Sequence, residues 1–159
     1  MKKTLATLAL IFAAGTAQAE WKETITVDEF SGAETVLAIT NSLDNYDVGN
    51  LMLRSKSGKL DIYFAGTDSY ICSPGGQLFV MYKFDDGQVY ENLAGLSSSN
   101  RALFFDLSPT EAYKWHASEH TDLSQSEFLS KMDKSTTLTV RYQDTCGELR
   151  TFKFDTTNG

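Results

Sequence analysis

The chain holds two histidines, and they stand together in His116-Ala117-Ser118-Glu119-His120. This is the H-x-x-E-H pattern of inverzincin zinc peptidases. On a helix the spacing sets two imidazoles one turn apart, as a zinc pair requires, with Glu119 as the base. Such peptidases take a third ligand well downstream, whereas this chain ends at Gly159. Polar residues flank the motif on several sides, so the competing reading is a solvated helix end with adventitious metal affinity at most. We take His116, Glu119 and His120 as solvated, and expect no catalytic residue, no metal and no cofactor. Trp115, beside His116 and outside any strand pattern, is the aromatic best placed to meet a ligand. Tyr46, Tyr63, Tyr70, Tyr82 and Tyr90 are further groove candidates, although tyrosines in strands ordinarily pack.

Other chemistries have less to build on. There is no G-x-S-x-G elbow and no phosphate-cradling glycine loop. Asp85-Asp86 offers paired carboxylates, but Gly87 follows them, which is a hairpin-turn signature rather than a glycosidase pair. Cys-His catalysis needs reduced thiols. Cys72 and Cys146 are the only cysteines, and each lies in turn-like sequence: Cys72 before Ser73-Pro74-Gly75-Gly76, Cys146 within Asp144-Thr145-Cys146-Gly147. We expect a disulfide stapling two loops, against a reactive thiol or a metal ligand.

The disulfide reading agrees with the N-terminus. Met1-Lys2-Lys3 is basic, Thr4 to Ala14 is apolar, and Ala17-Gln18-Ala19 has the small-x-small form of a cleavage site. Residues 1–19 are therefore expected to be a cleaved signal peptide, with 20–159 a single β-rich domain in the periplasm. Cleavage removes two lysines and no acid. The remaining 140 residues carry 12 basic and 21 acidic groups, a net charge of −9. That charge disfavours nucleic acid and acidic membrane surfaces, and favours cationic partners. No later apolar run approaches the roughly 20 residues of a membrane helix, so no membrane insertion is expected after cleavage.

Positioning of these groups falls mostly to strands. Thr35 to Thr40 is apolar and β-branched. Leu51 to Ser55 and Lys59 to Phe64 flank Lys56-Ser57-Gly58 as a hairpin. Leu78 to Phe84 runs into Asp85-Asp86-Gly87 and on to Gln88-Val89-Tyr90. Ala102 to Phe105 is a short apolar strand. Thr137 to Tyr142 and Leu149 to Phe154 flank the Cys146 turn. Two capping boxes, at Ser108-Pro109-Thr110-Glu111 and Ser124-Gln125-Ser126-Glu127, predict short helices. The expected fold is mainly β, an antiparallel sandwich or open barrel with one or two short helices.

Several segments, taken in order, resemble the TagO/VasI-type periplasmic accessory proteins of bacterial type VI secretion. They are Trp21; Thr35-Val36-Leu37-Ala38; Leu51-Met52-Leu53-Arg54 with Leu60-Asp61-Ile62-Tyr63; Met81 to Gly87; Phe128-Leu129 before Leu138-Thr139-Val140-Arg141; and Phe152-Lys153-Phe154-Asp155. The chain departs from that pattern at Ser55 in place of Cys, at Lys83 in place of Arg, and in an inserted stretch from Phe105 to Thr121. The resemblance implies a secretion-associated role and no catalytic residues. The expectation is a non-catalytic module that binds a protein partner, cationic or associated with the cell wall. An acidic inhibitor of a lysozyme-type hydrolase is the alternative, with a small zinc hydrolase built on His116, Glu119 and His120 behind it.

Overall fold

Period-two alternation dominates the chain, and period two places one set of side chains on each face of a sheet. In a computed structural model, residues 21–43, 45–66, 70–105 and 123–157 are described. They form β1 (Lys22–Val27), β2 (Glu34–Asn41), β3 (Gly49–Lys56), β4 (Lys59–Gly66), β5 (Gln77–Phe84), β6 (Val89–Leu96), β7 (Ala102–Phe105), α1 (Gln125–Asp133), β8 (Thr137–Gln143) and β9 (Leu149–Asp155). The strands join one antiparallel sheet in the order β1-β2-β3-β4-β7-β6-β5-β8-β9. The expected mainly β, antiparallel class is observed, as one continuous sheet rather than two facing ones. The expected hairpins, the strand Ala102–Phe105 and the Ser124-capped helix are all in place. Two stretches exceed the expectation: β1 was not foreseen, and β6 continues past Tyr90 to Leu96. The expected leader and the helix at Ser108 lie outside the described residues.

The sheet curls until its far side meets itself. Ser42, just past β2, bridges Phe154 of β9. The Leu43 N–H donates to the Lys153 carbonyl at 2.7 Å, and the Asp47 N–H to the Thr151 carbonyl at 2.9 Å. The Thr151 N–H returns a bond to the Asp47 carboxylate at 2.6 Å, and Arg150 pairs with that carboxylate at 3.3 Å. Gly49 sits at this closure. A Cβ there would meet the Phe152 ring at 2.7 Å and the Ala65 carbonyl at 2.8 Å, so only a residue without a side chain fits.

The inward faces bury Leu51, Ile62, Phe64, Leu103, Phe105, Val80, Tyr82, Phe84, Leu138, Val140, Tyr142, Phe152 and Phe154. Helix α1 starts at the capping box Ser124–Glu127 and buries Phe128 and Met132. The Phe128 ring meets Tyr82, Phe84 and Phe105 at centroid distances of 5.3, 5.2 and 5.5 Å. Gln125 ties the helix start to the Leu60 carbonyl at 2.7 Å. The buried Asn92 side chain accepts the Tyr82 hydroxyl at 2.6 Å. Burial pushes the Tyr142 phenol up to about 12, so it stays neutral at ordinary pH.

Cys72 and Cys146 form a disulfide with a Cα–Cα distance of 5.7 Å, joining the stretch before β5 to the β8–β9 turn. Buried Asp144 organises both sides, accepting the Cys72 N–H at 3.1 Å and the Cys146 N–H at 3.0 Å. The Cys72 carbonyl accepts the Thr145 N–H at 3.0 Å.

Two stability outcomes follow from this architecture. Gly49→Ala is expected to destabilise by about 1–3 kcal/mol through overpacking. Gly95→Ala, where an added Cβ meets nothing within 4 Å, is expected to be tolerated. Urea unfolding of both variants checks the contrast. Replacing both cysteines by serine is expected to lower stability by about 4 kcal/mol, since the bridge closes a span of 74 residues. The same denaturation measurement reads it.

Candidate interaction surface

Because the end of β2 closes against β9, the β1–β2 hairpin overhangs the closed part of the sheet. Every residue of β1 is exposed. Register places Ile25 opposite Val36, and Val36 opposite Ser55 of β3. This is the inward face, which along β3 and β4 buries Ile62 two residues further on and Leu51 with Phe64 four residues further on. On the overhang the same face opens to solvent, leaving Ile25 55% and Val27 60% exposed.

The turn at the tip of this arm is tightly organised. The Asp28 carboxylate accepts the Phe30 N–H at 3.0 Å, the Ser31 N–H at 2.7 Å and the Ser31 hydroxyl at 2.8 Å. The Gly32 N–H donates to the Asp28 carbonyl at 2.8 Å, with Gly32 at φ +67°, where a side chain would be strained. The Ser31 bonds, backbone first, and then the Phe30 N–H hold the Asp28 carboxyl below its usual range. Phe30 is fully exposed, at 101%. Glu29 and Glu34 are exposed beside it. A bare phenyl ring on an ordered turn, with exposed carboxylates at Glu29 and Glu34 nearby in the chain, has the chemistry to fill an apolar pocket bordered by cations.

A second feature lies on the outward face of β5, β6 and β8. Met81, Tyr82, Lys83, Val89, Thr139 and Arg141 line a shallow recess of about 310 Å³. Its cations are partly engaged: Lys83 meets Asp86 at 3.4 Å, and Arg141 donates to the Thr151 hydroxyl at 3.0 Å. Further round the sheet, Tyr63 stacks on Phe104 with centroids 4.7 Å apart. The Arg54 guanidinium lies over both rings and is held by Asp61.

The candidates named from sequence fall out as follows. Trp115, His116, Glu119 and His120 lie outside the described residues. Among the described residues, no three His, Cys, Asp or Glu side chains gather into a metal-holding group. No described helix is long and apolar enough to cross a membrane. The tyrosines do not converge on one groove. Tyr82 and Tyr90 are buried, Tyr63 is stacked on Phe104, and Tyr46 and Tyr70 are separately exposed. Asp85 and Asp86 form the β5–β6 turn, and Asp85 serves the backbone. It accepts the Thr136 hydroxyl at 2.8 Å, the Thr136 N–H at 3.0 Å and the Thr137 N–H at 2.9 Å. The exposed Phe30 turn was not foreseen. Its signal is the Asp28-Glu29-Phe30-Ser31-Gly32 run, in which Asp and Gly mark a turn around an aromatic.

No known protein family, curated protein or solved structure matches the chain.

The Thr136 hydroxyl, above all, holds the Asp85 carboxyl below its usual value of 3.8, with the Thr136 and Thr137 N–H groups adding to it. A depressed folded-state pKa contributes stability that is complete above the unfolded value and lost as pH falls through the folded one. Asp85→Asn is therefore expected to lower stability at neutral pH and to flatten the loss of stability below about pH 4. Thermal unfolding across that range, with wild type alongside, measures it.

Proposed function

We propose that this chain is a non-catalytic, exported recognition module that offers the Phe30 turn to a cationic protein partner in the periplasm. The observation that carries the reading is Phe30 itself, a fully exposed aromatic on a turn fixed by Asp28. Leaving a large apolar ring in water forgoes about 1.5–3 kcal/mol, which docking recovers. A pre-organised turn also avoids most of the ordering cost of binding. The Cys72–Cys146 bridge supports an oxidising compartment, in keeping with the leader-like first 19 residues. The finer role is an accessory to a type VI secretion apparatus, and it rests on the sequence resemblance.

The acidic border of the turn favours a second reading: inhibition of a cationic cell-wall hydrolase of the lysozyme type. Carboxylates around an aromatic steer and anchor on a basic cleft. Equimolar protein is expected to slow such an enzyme at low salt and less so at moderate salt; unchanged activity at both removes this reading.

The main proposal is tested by pull-down from a periplasmic extract with wild type and Phe30→Ala in parallel. The expected result is a partner held by wild type and bound at least about tenfold more weakly by the variant, as for a hot-spot aromatic. Equal retention by both proteins overturns the assignment of Phe30. Recovery of the full-length chain from cytosol with both thiols free overturns the export on which the proposal stands.

A further inference from the structure

Antiparallel pairing alternates the direction in which successive backbone groups point. The Asp28 N–H donates to the Ala33 carbonyl at 2.9 Å, so Asp28 faces β2. By alternation Lys22, Thr24 and Thr26 also bond toward β2. The N–H and C=O groups of Glu23, Ile25 and Val27 point the other way, along an edge that closes the strand order. Natural edges are blunted by Pro, bulges, lysines or inward charges. Lys22 and the inward Glu23 mark the first two positions of the strand, whereas Thr24-Ile25-Thr26-Val27 has none of these devices and consists of strong strand formers.

We propose that this edge pairs with the same edge of a second copy, β1 against β1, antiparallel about Ile25. The complementarity lies in the strand's own sequence. Centred on Ile25, the register sets Thr24 opposite Thr26, Glu23 opposite Val27, and Lys22 opposite Asp28 at both ends. Opposite charges therefore meet on the outward face, while Ile25 meets its own copy on the inward face. Moving the centre to Thr24 puts Lys22 opposite Thr26, and the Lys22–Asp28 match is lost. Moving it to Thr26 drives the ladder into the Asp28–Gly32 turn. A two-fold axis perpendicular to the sheet keeps the inward faces on one side, so the two exposed Ile25 side chains meet at the centre, flanked at each end by Val27 of one copy and Glu23 of the other. Each outward N–H and C=O of Glu23, Ile25 and Val27 gains a partner. The ladder ends at Asp28, which leaves both Phe30 rings outside it.

The prediction is register-specific. Thr24 and Thr26 form non-hydrogen-bonded pairs across the axis, where Cα atoms stand about 4.5 Å apart, within disulfide reach. Mixing the Thr24→Cys and Thr26→Cys proteins under mild oxidation is expected to give a covalent dimer, with each protein alone giving none. Light scattering is expected to report a dimer for wild type and for Phe30→Ala, and a monomer for Ile25→Lys, which sets two like charges together on the axis. A wild-type monomer at every concentration overturns the proposal, as does a dimer unaffected by Ile25→Lys. Cross-linking by Thr24→Cys alone places the axis at the wrong residue and overturns the register. Capture of a different protein's strand by a monomeric chain assigns the edge to that partner instead. Dimerisation and the Phe30 contact fail separately, because each variant touches one of them.

Discussion

Closure of the sheet at Gly49 governs the rest of the molecule. Strands with this much inward aromatic volume must wrap around it, and a wrapped sheet needs a contact where its two sides meet. Here the contact is the turn after β2 laid along β9, with the Asp47 carboxylate and amide both engaged by Thr151. The approach is close because position 49 has no side chain, so the Phe152 ring and the Ala65 carbonyl occupy the space a Cβ would take. Closure by the end of β2, rather than by the outermost strand, has a geometric consequence. Whatever precedes β2 in the sheet is left outside.

That consequence separates the two edges. On the β9 side, the turn after β2 covers the strand, and Arg150 with Asp47 and Glu148 places charge on it. This edge is blunted in the ordinary manner. On the β1 side, no described strand pairs with the outer backbone, and the residues of the inward face are exposed. The interior itself is secured independently of the arm. Phe128 closes one end against Tyr82, Phe84 and Phe105, and the Cys72–Cys146 bridge ties the loops near the opposite end of β5. An arm that adds little to the core is free to serve recognition.

The legible parts of the fold were those whose information is local. Leu138-Val140-Tyr142 and Leu60-Ile62-Phe64 write their inward face in alternation, and Ser124 with Glu127 writes the helix start. Two cysteines admit one pairing. The second half of β6 was hidden because Asn92 and Gly95 weaken strand preference; Asn92 is tolerated inside because the Tyr82 hydroxyl, on a neighbouring strand, satisfies it. Strand β1 was hidden because it is exposed on both faces and no burial contrast marks it. Closure was the least legible feature, since Asp47 and Thr151 are 104 residues apart and neither has a sequence pattern that names the other. The Phe30 turn was hidden for a related reason. A phenylalanine reads as core until the geometry shows it pointing into water.

Three cations have close partners at the surface: Arg54 between Asp61 and two aromatic rings, Arg150 between Asp47 and Glu148, Lys131 over the Tyr90 ring. Surface pairs of this kind contribute only about 0–1 kcal/mol each to stability. The long-range potential is set by the excess of acids over bases, and at the arm tip the exposed Glu29 is the chain neighbour of the fully exposed Phe30. Such a field accelerates encounter with a basic surface and weakens with salt, whereas an anchored ring slows departure and is nearly indifferent to salt. On the recognition reading, the two parts of the turn therefore control different halves of the same equilibrium, and the hydrogen bonds of Asp28 are what keep them in one place.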